Sequence, residues 1–156
     1  VQPIEIVFFM KIVFLFICSA MLALGHRTSE AGKLHLRFEG ITSAGGTVRL
    51  ALYDRKSDFM VEEKAVLHNF KADKQGSVTG SIENLGTGSY AIAVFLDENN
   101  NKKLDKNLVG VPTEPYGFSK EPPSKWRLPT WEEVKFDHAA ATDQTIVVKL
   151  KKWALL

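Results

Sequence analysis

Cysteine is almost missing from this sequence, Cys18 being the only one, and it lies in an apolar run near the start. A chain that sheds this run keeps no thiol, which excludes disulfides, thiolate metal sites and a cysteine nucleophile. An excess of charge of one sign is missing too. Twenty basic residues stand against eighteen acidic ones, a formal net charge of +2, too little to argue for a nucleic-acid partner. No segment carries the long three-four apolar spacing of an amphipathic helix. HExxH, GxSxG and phosphate-loop motifs are absent, and Gly86, Thr87, Gly88 and Ser89 precede a strand pattern where a phosphate cradle would precede a helix. His35, His68 and His138 are far apart in sequence and read as wet-face or satisfied core residues. Glu132 and Glu133 are neighbours, so in a strand they would face opposite ways and form no carboxylate pair. These absences weigh against an enzyme.

What is present begins with an export signal. Met10 and Lys11 precede the run IVFLFICSAMLAL from Ile12 to Leu24, and Ala23, Leu24 and Gly25 offer a small-residue cleavage site. This is the pattern of a signal peptide, with residues 1–9 as an upstream extension. The expected organisation is therefore extension plus signal peptide over 1–25 and one folded domain over 32–153, in a secreted or periplasmic protein. If the extension is retained, the apolar stretch reaches from Ile4 to Leu24, and an uncleaved membrane anchor is the alternative. Ile17 before Cys18 stands where a lipid-anchor site needs a small residue.

Beyond this segment, short alternating runs recur between turn signals. Leu34, Leu36 and Phe38 alternate with His35, Arg37 and Glu39, and Val48, Leu50 and Leu52 alternate with Arg49 and Ala51. Across the turn-rich Gly40–Gly46, the pair predicts a hairpin. Ala65–Phe70 and Ser77–Leu85 read as further strands, and Asp54–Lys64 as a loop or a short helical turn. Tyr90–Leu96 is apolar on both faces and predicts a central strand whose small alanines let a second layer approach. Thr145–Leu150 predicts a late strand. The class is all-β, a single antiparallel β-sandwich of about seven strands with an immunoglobulin-like or transthyretin-like Greek key.

Two loops carry the functional expectations. After the central strand, Asp97, Asn99, Asn101 and Asp105 place oxygens at positions one, three, five and nine, with a backbone carbonyl at Lys103. A hard cation such as Ca²⁺ needs oxygens converging in this way. Leu104 would turn inward as an apolar plug. Lys102 replaces the glycine of a strong calcium loop and Leu108 its bidentate acid, which Glu114 could supply. The competing reading is a polar turn in which Asn and Asp bond their own backbone. From Asn107 to Glu133 the chain holds five of its six prolines together with Tyr116, Phe118, Trp126 and Trp131. These rings could line a groove for a small molecule, glycan or protein, or plug one end of the sandwich.

The residues from Leu85 to Ser119 also carry a family likeness. Gly88, Tyr90 and Ala91, then Asp97, Asn99, Asn101, Leu104 and Asp105, then Gly110, Pro112, Glu114, Tyr116, Gly117, Phe118 and Ser119 resemble the pattern of the domain of unknown function 2141 family. The resemblance implies an exported, mostly bacterial β-sandwich of unassigned role and supplies no enzyme. The family pattern has glycine where Lys102 stands and asparagines where Lys120 and Glu121 stand. The expectation is an exported binding or accessory module in which a calcium loop orders the aromatic loop, with membrane contact only through an uncleaved N-terminal segment. The alternatives are a secreted hydrolase using Glu114 or Asp105 beside the aromatic groove, and a self-assembling surface protein.

Overall fold

The computed structural model describes residues 32–124 and 126–152; the expected export segment lies outside them. Among the described residues there are eight strands: β1 (Gly32–Ile41), β2 (Thr47–Tyr53), β3 (Val66–Lys71), β4 (Gly76–Leu85), β5 (Gly88–Asp97), β6 (Tyr116–Phe118), β7 (Phe136–His138) and β8 (Gln144–Lys149). One short helix, α1 (Trp131–Val134), interrupts the chain between β6 and β7. The strands form a three-stranded sheet of order β4-β1-β8 and a five-stranded sheet of order β3-β2-β5-β6, with β7 also on β5. No helix among the described residues is long and apolar enough to cross a membrane.

The alternation in the sequence accounts for the core. Leu34, Leu36 and Phe38 of β1 meet Val48, Leu50 and Leu52 of β2, Ile92, Val94 and Leu96 of β5, and Val148 of β8 between the sheets. Burial of each such side chain contributes about 1.5–3 kcal/mol. The expected hairpin between the first two runs is not formed: β1 pairs with β4 and β8, while β2 pairs with β3 and β5. Alternation requires only that both apolar faces reach the core, and strands facing each other across a sandwich satisfy it as well as paired strands do. The placement of β1 and β2 in different sheets also departs from the immunoglobulin constant-domain order, whose first two strands share a sheet. One pairing is parallel, with β1 and β8 in register from Leu34 opposite Gln144 to Glu39 opposite Lys149. The undecided segment Asp54–Lys64 contains two single 3-10 turns, Lys56–Asp58 and Glu62–Lys64.

The edge of the five-stranded sheet is broken in two. Ala93 and Phe95 of β5 face Phe118 and Tyr116 of β6, and further along the same edge Gly88 and Tyr90 face His138 and Phe136 of β7. β6 and β7 are thus collinear pieces of one edge strand, with residues 119–135 looped out between them. Ser119 closes the break: its hydroxyl accepts the Ile92 N–H (3.0 Å) and donates to the Val134 carbonyl (2.6 Å). At the corner where β6 meets the end of β8, the two backbones bond through Tyr116 and Lys151. Glycine is required there, because a Cβ on Gly117 would lie 2.5 Å from the Lys149 carbonyl oxygen.

The alanine face of β5 serves a different layer from the one expected. Ala91 and Ala93 point away from the main core, and the looped-out segment buries Ala91 while Ala93 stays partly open. Trp131 and Val134 of α1 pack there with Tyr53, Phe118 and Phe59 as a second apolar cluster. Phe59 meets Tyr53 and Trp131 edge-on at 5.4 and 5.9 Å, a favoured aromatic geometry.

Candidate functional site

The turn after β5 is built around two buried carboxylates. Asp97 is fully buried because it sits on the last residue of a central strand. Its Oδ2 accepts the Arg49 Nε–H (2.5 Å) and the Lys102 N–H (2.9 Å), and its Oδ1 accepts the Asn101 N–H (3.0 Å). Burial pushes this carboxyl up, but the Arg49 guanidinium and the two backbone donors outweigh it and leave Asp97 below the usual aspartate value. Glu114 is also buried and latches the turn from the other end. Its two oxygens accept the N–H groups of Glu98 (2.8 Å) and Asp105 (3.0 Å).

Between these latches the predicted ion ligands do come together. The side-chain amides of Asn99 and Asn101 both donate to the Asp105 carboxylate, at 2.7 and 2.9 Å. The Asn99 and Asn101 oxygens accept the N–H groups of Asn101 (3.0 Å) and Lys103 (2.8 Å) in local turns, the bonding that favours these residues in loops. Asn100 and Lys102 take positive φ values of 59° and 69°, so Lys102 adopts the backbone that a glycine would adopt more easily. Leu104 does not enter the core as a plug; it is half-buried and lines the outer face of the five-stranded sheet. Among the described residues, no group of three or more His, Cys, Asp or Glu side chains is placed to hold a metal ion.

The turn is one wall of an open trough of about 1510 Å³ on the outer face of the five-stranded sheet. Ala93, Phe95 and Tyr116 form its floor, Leu104, Val111 and Pro112 stand on one side, and Trp126 and Leu128 on the other. Asp105 and Glu114 do not line it, so neither faces the aromatic groove that the hydrolase reading needs. The four predicted loop aromatics divide. Phe118 and Trp131 are buried in the second cluster, Tyr116 is half-buried beside Phe118, and Trp126 is 75% exposed.

The second wall is held by a clamp that sequence reasoning did not anticipate. Arg127 forks onto both oxygens of Glu133, at 2.8 and 2.5 Å. Glu133 in turn accepts the Thr130 N–H (2.7 Å) in a capping box at the start of α1. The Arg127 fork is the first cause, and the Thr130 N–H the second, that hold the Glu133 carboxyl down at about 2. The sequence signal was present as Thr130 followed three residues later by glutamate, ahead of an apolar Val134. Glu132 and Glu133 therefore lie on a helix and not on a strand. The histidines remain apart. His138 is buried with Nδ1 3.0 Å from Gln144 Oε1, His35 lies 3.6 Å from Asp143, and burial lowers the pKa of His68.

This is an all-β two-sheet sandwich with a looped-out edge strand and a carboxylate-latched turn. The chain belongs to the family described as uncharacterized protein conserved in bacteria (DUF2141), whose model matches residues 36–146. No curated protein and no solved structure matches it.

Proposed function

We propose that this chain is an exported, non-catalytic binding module that uses the outer face of its five-stranded sheet, with a transthyretin-like Greek key as the scaffold. The trough over Ala93, Phe95 and Tyr116 carries the reading, because it joins exposed apolar side chains to polar rims in one concavity. The latched turn is the strut that fixes one wall, and the Arg127–Glu133 clamp fixes the other. Hydrogen exchange with the anionic aromatic dye anilinonaphthalene sulfonate tests the face in the full chain. Slowing over residues 110–118 and 124–129, with β1 and β4 unchanged, is the expected result. Slowing elsewhere only, or nowhere, removes the site.

A calcium-ordered turn is the second reading, favoured by the meeting of Asn99 and Asn101 on Asp105. A cation there would have to displace Arg49 from Asp97 and turn both amides to present oxygen, since the carboxylate positions are taken by protein donors. If calcium binds, millimolar Ca²⁺ raises the melting temperature of the parent chain and leaves Asp105→Asn unmoved. An unchanged parent midpoint rejects this reading.

A further inference from the structure

Both walls of the trough end in ordered turns that hold apolar side chains out in water. On the first, the Asn107 side chain accepts the N–H groups of Val109 (3.1 Å) and Val111 (3.0 Å). The tip so formed presents Leu108 fully exposed and Val109 79% exposed. On the second, the Arg127–Glu133 clamp sets out Trp126 and Leu128, the latter 66% exposed. Neither tip is a plug, and each is fixed by several hydrogen bonds. Between the tips the lining is strongly basic, with eight Lys and Arg against two Glu. Arg49, Arg127, Lys151 and Lys152 are paired with Asp97, Glu133, Glu121 and Glu98. No ion pair engages Lys102, Lys103 or Lys106 among the described residues, while Lys149 acts on Glu121.

Aliphatic tips, an exposed tryptophan and a rim of uncompensated lysines together fit one kind of surface. Leucine and valine gain by entering the headgroup–acyl boundary, tryptophan favours that boundary, and lysine stems can lie along it while their ammonium groups meet anionic headgroups. A sugar-binding groove would instead offer flat rings and convergent polar groups, and Leu108, Val109 and Leu128 supply neither. We propose that this face docks on an anionic membrane surface, with Leu108, Val109, Trp126 and Leu128 entering the interface and Lys102, Lys103 and Lys106 meeting its headgroups. The proposal rests on the binding-face reading and names its partner. It replaces the expectation that only the N-terminal segment could touch a membrane.

The test reads Trp126 against the buried Trp131, whose emission is subtracted with the matching variant Trp126→Phe, so that the apolar N-terminal run does not obscure it. In the full-length chain carrying Trp153→Phe, vesicles of brominated phosphatidylcholine with one-third phosphatidylglycerol should quench Trp126, and vesicles of brominated phosphatidylcholine alone should not. Each of Lys102→Gln, Lys103→Gln and Lys106→Gln should weaken docking about five-fold. The double variant Leu108→Ser, Leu128→Ser should abolish the quench while its melting temperature stays at the parent value. Three outcomes overturn the proposal: no quench on anionic vesicles, an undiminished quench in the double variant, or heparin engaging Trp126 more tightly than the vesicles do. The last would assign the face to an acidic polysaccharide. Dye protection at the trough without lipid quenching would leave the binding face standing and remove the membrane.

Discussion

Asp97 and Arg49 form the pair on which the turn depends. Asp97 is wholly buried and Arg49 partly buried, and removing one partner of such a pair leaves a charge with no counterpart. Asp97→Ala should therefore cost about 3 kcal/mol in urea unfolding, and Arg49→Gln should disturb the same turn. Acid should act in the same direction. A carboxyl whose folded pKa lies below its unfolded value adds stability above the unfolded value and loses it as pH falls through the folded one. For Glu133 that window runs from about 4.5 down to about 2. Near-ultraviolet circular dichroism should show the Trp131 environment loosening across this range in the parent and already loosened at neutral pH in Glu133→Gln.

Elements differ in how openly the sequence declares them. The long strands were legible because Leu34, Leu36 and Phe38, or Val48, Leu50 and Leu52, repeat a period of two for several residues. Pairing was not legible, since that period fixes which side chains face the core and leaves the neighbouring strand undetermined. β6 and β7 were missed as parts of one edge because each is three residues long, too short for alternation to register. The meeting of Asn99, Asn101 and Asp105 followed from their spacing. The donors that occupy Asp97 and Glu114 did not, because Arg49 comes from a strand 48 residues away and the others are backbone groups. The layer over Ala91 and Ala93 makes its own claim. Trp131→Ala should remove the ring that covers them and cost about 3 kcal/mol, with fast hydrogen exchange confined to residues 119–135.

For the whole molecule, the broken edge allows a drastic test. Phe118 faces Ala93 and Phe136 faces Tyr90, so only two residues are needed to join them. Deleting Lys120–Val134 leaves Ser119 and Lys135 as those two residues, with Phe118 still outward and Phe136 still inward. The shortened chain should keep its strand-type far-ultraviolet spectrum and melt cooperatively, at a lower temperature because Ala91, Ala93 and Tyr53 lose their cover. Loss of the cooperative transition would mean that the looped-out segment is part of the core.

The parallel contact between β1 and β8 governs when the molecule can be finished. A polypeptide delivered amino end first exposes Leu34 to Glu39 early, yet one flank of that ribbon waits for Gln144 to Lys149. Until the tail arrives, the three-stranded layer is a two-stranded ribbon with an open side, the state in which such ribbons adhere to one another. A nascent chain released or held up before Gln144 to Lys149 emerge should therefore be the form that clumps.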